Sequence, residues 1–290
     1  MDKKLFQKHL EDICSVSPFL DPEEWTPYGA KDRMGPYLEY SRERLDVVTE
    51  KFECMGYASE FQDFSFNLGE ARNAIFRRGE PSDDEIWFLA HHDYLAGTGA
   101  EDNGTGLAMM LALAERYEDD LISEHLVFAS FDLEEFNLAG SRHYARNLSN
   151  ERLKAIKYAV ALECLGSGAD LSIVASCYFG ESNPDLVGHI VDAALMEDRD
   201  LTVGSYHYFA SDHVSFGEVG VPHALLCTIN QDEYLAAQAE TRGNICFSTY
   251  IVEGRFSVAH TADDVLDSIN YGNLLSGFSV LSRFIEDQYR

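Results

Sequence analysis

The chain has 290 residues, 46% of them hydrophobic, and a formal net charge of −28 at pH 7. That length and apolar content suit one well-filled α/β domain, 1–290, and no stretch approaches the roughly 18 consecutive apolar residues of a membrane span. The charge would repel a phosphate backbone, so nucleic acid is excluded as a partner.

In chain order, Leu38, Ser41, Leu45, Val48, Phe52 and Met55 recur at helical spacing, and Gly56 stands where a C-cap belongs. Residues 61–66 and 71–77 read as paired strands around Asn67-Leu68-Gly69. The apolar runs at 86–90, 126–131, 158–162, 171–175 and 224–229 read as strands buried on both faces. An amphipathic helix carries Leu107, Met110, Leu111 and Ala114, and a last one carries Leu274, Phe278, Leu281 and Ile285. This alternation predicts a central, mostly parallel mixed sheet with helices on both faces. Residues 231–258 have no clear pattern and are expected to form a lid or pocket insertion. The two amino-terminal lysines precede no apolar leader core, so a cytoplasmic protein is expected, without a membrane partner. The six cysteines include no Cys-x-x-Cys pair and read as free thiols. The acidic residues are spread along the chain, which suits solubility better than steering of a cationic substrate.

The chemistry gathers where these strands end. The run 86–90 leads into His91-His92-Asp93, the run 126–131 into Asp132-Leu133-Glu134-Glu135, and the run 158–162 into Glu163. Open α/β sheets collect ligands at such carboxyl ends. Between them lies Gly99-Ala100-Glu101-Asp102-Asn103-Gly104, and downstream His260-Thr261-Ala262-Asp263-Asp264. Histidines and carboxylates in this number suit hydrolytic chemistry at two zinc ions, with one carboxylate spare to move protons. Either His91 or His92 can face inward, but not both, because strand side chains alternate. Asp93 lies on the His91 side and can accept the other ring N–H. Asn103 can cap the helix that follows, which leaves Asp102 free to use one oxygen per metal. Of Glu134 and Glu135, one binds and the other serves as general base.

These blocks, in this order, resemble the M28 family of zinc exopeptidases. The matching segments are Ala90-His91-His92-Asp93, Gly99 to Asn103, Glu134 to Ser141, Glu163 before Gly166, Ser211 to Phe216, and His260 to Asp264. The resemblance implies the zinc-exopeptidase (phosphorylase/hydrolase-like) fold and an aminopeptidase that acts on peptides with a free N-terminus, using two Zn2+ or other divalent ions. His91 and Glu163 would hold one metal, Glu135 and His260 the other, and Asp102 would bridge them. Glu134 would be the general acid/base, and Asp93 would orient His91. The family usually has aspartate where Glu163 stands. Its carbonyl-polarising tyrosine is replaced by Ala259 or Val221, so another donor is needed. Tyr206, His207, Tyr208 and Tyr250 are the candidates, and with Asp212 they are the expected substrate pocket. The aromatics of that region suggest an apolar side-chain preference. Rival readings are a single-zinc enzyme like glutaminyl cyclase, a deacylase or carboxypeptidase using Arg242 or Arg255, and a silent binding module.

Overall fold

The structure is a computed structural model that describes residues 3–21, 34–67, 69–167, 170–206, 209–230 and 258–290. The elements are α1 (Lys3–Ser15), α2 (Met34–Cys54), β1 (Ala58–Phe66), β2 (Gly69–Arg77), β3 (Glu85–His91), α3 (Thr105–Tyr117), β4 (Leu126–Phe131), α4 (Ala139–Asn147), α5 (Asn150–Ala155) and β5 (Ile156–Glu163). There follow β6 (Asp170–Cys177), β7 (Gly180–Glu181), α6 (Pro184–Met196), β8 (Thr202–Ser205), α7 (His213–Gly217), β9 (His223–Ile229) and α8 (Tyr271–Tyr289).

The strands of the described residues form one nine-stranded sheet in the order β1-β2-β4-β3-β5-β9-β6-β7, with β8 beside β6. Its centre, β4-β3-β5-β9, is parallel. The flanks reverse: β2 is antiparallel to β1 and β4, and β6 is antiparallel to β9. Every residue of β3 and β4 is buried, as their unbroken apolar runs require. Alternation divides those runs between two cores. Ile86, Phe88, Leu126 and Phe128 pack with Phe6, Leu45, Val48, Met110 and Leu281 on one face. Trp87, Leu89, Val127 and Phe131 pack with Phe216 and Leu225 on the other. The sheet is thus covered on both sides.

The expected helix over 38–55 is α2, and it stops as its sequence predicts. Gly56 takes φ +82, and the Tyr57 amide returns to the Phe52 carbonyl over 3.0 Å. The hairpin, the first helix after the glycine turn and α8 also lie where the pattern puts them. The run at 171–175 departs from the parallel expectation. Residues 164–169 join β5 to β6 directly, and so short a link returns the chain in the opposite sense. The described cysteines are free thiols. Among the described residues no helix is long and apolar enough to cross a membrane. The insertion expected at 231–258 falls, except for its last residue, outside the described residues.

Candidate metal centre

The sheet brings its acidic strand ends to one place. His91 closes β3, Glu163 closes β5, and Glu134 and Glu135 follow shortly after β4. Asp102 arrives on the turn Ala100–Gly104, whose Asp102–Asn103 peptide is cis, and His260 on a turn ahead of α8 with φ +60. Two groups of donor atoms form: His91, Asp102 and Glu163, and Asp102, Glu135 and His260, each with its atoms within 4.8 Å of one another. Asp102 belongs to both. Its Oδ1 is 3.0 Å from His91 Nε2 and its Oδ2 is 3.0 Å from His260 Nε2. Glu163 Oε1 approaches His91 Nε2 at 3.3 Å, and Glu135 Oε2 approaches His260 Nε2 at 2.9 Å. Glu134 belongs to neither group.

The donor set fits a pair of divalent cations. His91 Nδ1 lies 3.0 Å from the Asp93 carbonyl and 3.2 Å from Asp93 Oδ1, so it carries the proton. Nε2 then turns a lone pair on two carboxylates, an arrangement that needs a cation between them. Burial opposes charging His91 and His260, but Glu163 and Asp102 raise the one, and Glu135 and Asp102 the other, well above the usual histidine range. Burial works against ionised Asp102 as well, yet His260 and His91 hold it far below the usual carboxylate range. Burial lifts Glu134 well above its ordinary value, helped by Glu163, Glu135 and Asp212 and opposed by His91. Two divalent ions would bring four positive charges to a cluster where Asp102, Glu135 and Glu163 bring three negative ones.

Neighbouring groups fix each donor. Asp93 Oδ1 accepts the Glu134 amide at 3.1 Å, and Oδ2 accepts the Glu135 amide at 3.2 Å and the Tyr37 hydroxyl at 2.7 Å. Asp264 accepts the amides of Glu101, at 2.6 Å, and Asp102, at 3.2 Å. Burial and the Asp102 charge push its carboxyl up to about 8. Asn103 Oδ1 accepts the Gly106 amide at 3.0 Å, while its Nδ2 donates to the Leu162 carbonyl and to Glu163 Oε2.

Residues 73–285 match the model of peptidase family M28. The chain belongs to this family. It is 30% identical over 146 residues to aminopeptidase YwaD of Bacillus subtilis, which covers 49% of this chain and 31% of that protein. A solved zinc aminopeptidase from Bacillus subtilis, BSAP, superposes with a TM-score of 0.60 at 23% identity, over 77% of this chain and 51% of the other. Glutaminyl cyclase of Porphyromonas gingivalis superposes with a TM-score of 0.76 at 16% identity, over 99% of this chain and 98% of the other. These superpositions establish a shared fold. The chain spans about a third of the length of the curated aminopeptidases it matches.

Within this M28 chain, several choices left open by the sequence are decided by geometry. His92 turns away from the cluster, with Nδ1 2.9 Å from Ser130 Oγ and Nε2 3.8 Å from Asp132 Oδ2. Asn103 Oδ1, not Asp102, accepts an amide of the first turn of α3, that of Gly106. The added methylene of Glu163 is accommodated because Ser211 Oγ and Asn103 Nδ2 both bond its Oε2. Two residues of the expected pocket are buried. Tyr206 is 2% exposed and belongs to the apolar cluster of Val174, Phe216 and Leu225. Asp212 is fully buried, where loss of hydration pushes its carboxyl up to about 7. His207, Tyr208 and Tyr250 lie outside the described residues, as do Arg242 and Arg255. Sequence reasoning gave no role to Ser211 or Asp264, although both sit in the recognised blocks. Tyr37 lies in none of them.

Proposed function

We propose that this M28 chain is a di-zinc aminopeptidase. His91 and Glu163 hold one ion, Glu135 and His260 the other, and Asp102 bridges them. Glu134 is the general base. The observation that carries this reading is the shared carboxylate: Asp102 offers one oxygen to each group of donors, and Glu134, next in sequence to Glu135, joins neither. When bound, the zinc pair supplies Lewis acidity, which polarises a peptide carbonyl and acidifies water.

Glu134 takes the proton released as water attacks the scissile carbonyl. It returns that proton to the departing amine, a transfer suited to a carboxyl whose proton affinity burial has raised. Asp93 keeps the Glu134 amide in place and holds His91 in one tautomer, so base and ligand share one anchor. The substrate is a peptide whose free amino group carries positive charge into an acidic site.

The test is an assay of the full chain on aminoacyl anilides, N-blocked controls and an N-terminal glutaminyl peptide, with zinc counted per chain. Glu134→Gln should retain two zinc ions and lose about 10²–10⁴-fold in kcat. Equal turnover by wild type and Glu134→Gln refutes the assignment. One zinc per chain, with ring closure of the glutaminyl peptide and no hydrolysis, would replace it by a cyclase.

A further inference from the structure

One face of α2 carries a buried polar stripe: Tyr37, Ser41 and Arg44, at the spacing that stacks side chains along a helix. Each bonds a different loop of the candidate centre. Tyr37 Oη donates to Asp93 Oδ2 at 2.7 Å, in the loop after β3. Ser41 Oγ donates to Asp132 Oδ1 at 2.7 Å, in the loop after β4. Arg44 Nη2 donates to the carbonyls of Thr98, at 2.8 Å, and Gly99, at 2.6 Å, in the loop that leads to Asp102. A helix stripe this well buried would ordinarily be apolar, because buried polar groups cost free energy unless bonded.

We infer that α2 braces the site and that Tyr37 is a positioning residue acting through Asp93. That carboxylate meets one proposed ligand of the first ion, through His91 Nδ1, and accepts the amides of Glu134 and Glu135, so it spans both halves of the centre. Oδ2 takes bonds from Tyr37 and from the Glu135 amide. Without the hydroxyl, Oδ2 keeps the amide alone. The carboxylate is then freer to turn, and the imidazole and the glutamate turn lose their common reference. The inference rests on the metal-centre reading above.

The experiment follows zinc release to a chromophoric chelator from the full chain. Tyr37→Phe keeps the ring against Phe136, at 5.3 Å between centroids, and removes only the hydroxyl. It should release zinc about 10-fold faster, the scale of effect seen for groups that orient metal ligands. Its kcat should fall with KM within about twofold, since orientation of base and ligand is lost rather than substrate binding. Phe64→Leu trims the same apolar cluster without touching the hydroxyl. It should lower Tm and leave release within about twofold. In Asp93→Asn, adding Tyr37→Phe should cost little more than Asp93→Asn alone, because groups in one bonded chain are not additive. Full additivity, or equal acceleration by Phe64→Leu, overturns the inference while the metal reading stands. A wild-type chain that holds no zinc overturns both.

Discussion

Ser211 Oγ donates to Glu163 Oε2 over 2.6 Å, which leaves Oε1 as the oxygen turned to His91. The hydroxyl therefore selects which lone pairs meet a cation. Ser211→Ala frees the carboxylate to rotate, and only the Asn103 amide remains to hold that oxygen. Zinc affinity should fall about 10–100-fold at the site of His91 and Glu163, and hardly at that of His260 and Glu135. A competition titration that resolves two binding events checks this. Equal weakening of both would show that Ser211 supports the fold of the site as a whole.

The strand ends made much of this centre legible. Continuous apolar runs located β3, β4 and β5, and His91, Glu134 with Glu135, and Glu163 stand close behind those runs. Parity left His91 and His92 open, and the resemblance to family M28 named His91, which is the one that faces the cluster. The role of α2 as a brace was not legible. Ser41 fell on an apolar stripe, and its partner Asp132 lies far along the chain, so no local pattern could pair them. An aromatic near a recognised block, such as Tyr206, suits a pocket wall and a core equally well. The core claimed it. The reversal of β6 follows from a link too short for a crossover, which was countable in advance but outweighed by the pattern of alternating strands and helices.

Gly106 has no room for a side chain. A Cβ there would meet Asn103 Oδ1 at 2.4 Å and the Leu162 carbonyl at 2.5 Å. Gly106→Ala must therefore displace Asn103, which accepts the Gly106 amide and donates to both Leu162 and Glu163. We expect a loss of stability of about 1–3 kcal/mol from overpacking, together with weaker zinc binding on the Glu163 side. Urea denaturation of the zinc-free chain measures the first and a zinc titration the second. A variant as stable as wild type would mean that the close approach is not maintained in solution.

Arg44 is fully buried, and its guanidinium lies 4.4 Å from the centre of the Tyr94 ring. Its Nη2 bonds two successive carbonyls of the loop that leads to Asp102. Lysine keeps the charge but not the planar face that stacks on Tyr94. Arg44→Lys should lower stability by about 1–3 kcal/mol, the scale for a buried polar group left poorly paired, and should increase hydrogen exchange across residues 94–102. Protection of that loop at the wild-type level would show that another contact fixes it.

Away from the centre, His9 gives stability a pH dependence of known sign. It is 5% exposed, and burial, with the charges of Lys51 and Lys8, lowers its pKa from 6.5 to about 4. Glu115 Oε2, 3.4 Å away, favours the charged form, but that carboxylate is substantially exposed and burial outweighs it. Between pH 6.5 and about 4 the unfolded chain binds a proton at this position that the folded chain refuses. Stability should therefore be full above pH 6.5 and fall as pH drops through that window, by on the order of 2–3 kcal/mol from this residue. His213, lowered to about 3 by burial, adds in the same direction. His9→Gln cannot take up the proton in either state, so its denaturation free energy should decline less steeply between pH 6.5 and 5. Parallel pH profiles for wild type and variant would show that the His9 ring is hydrated in the folded protein.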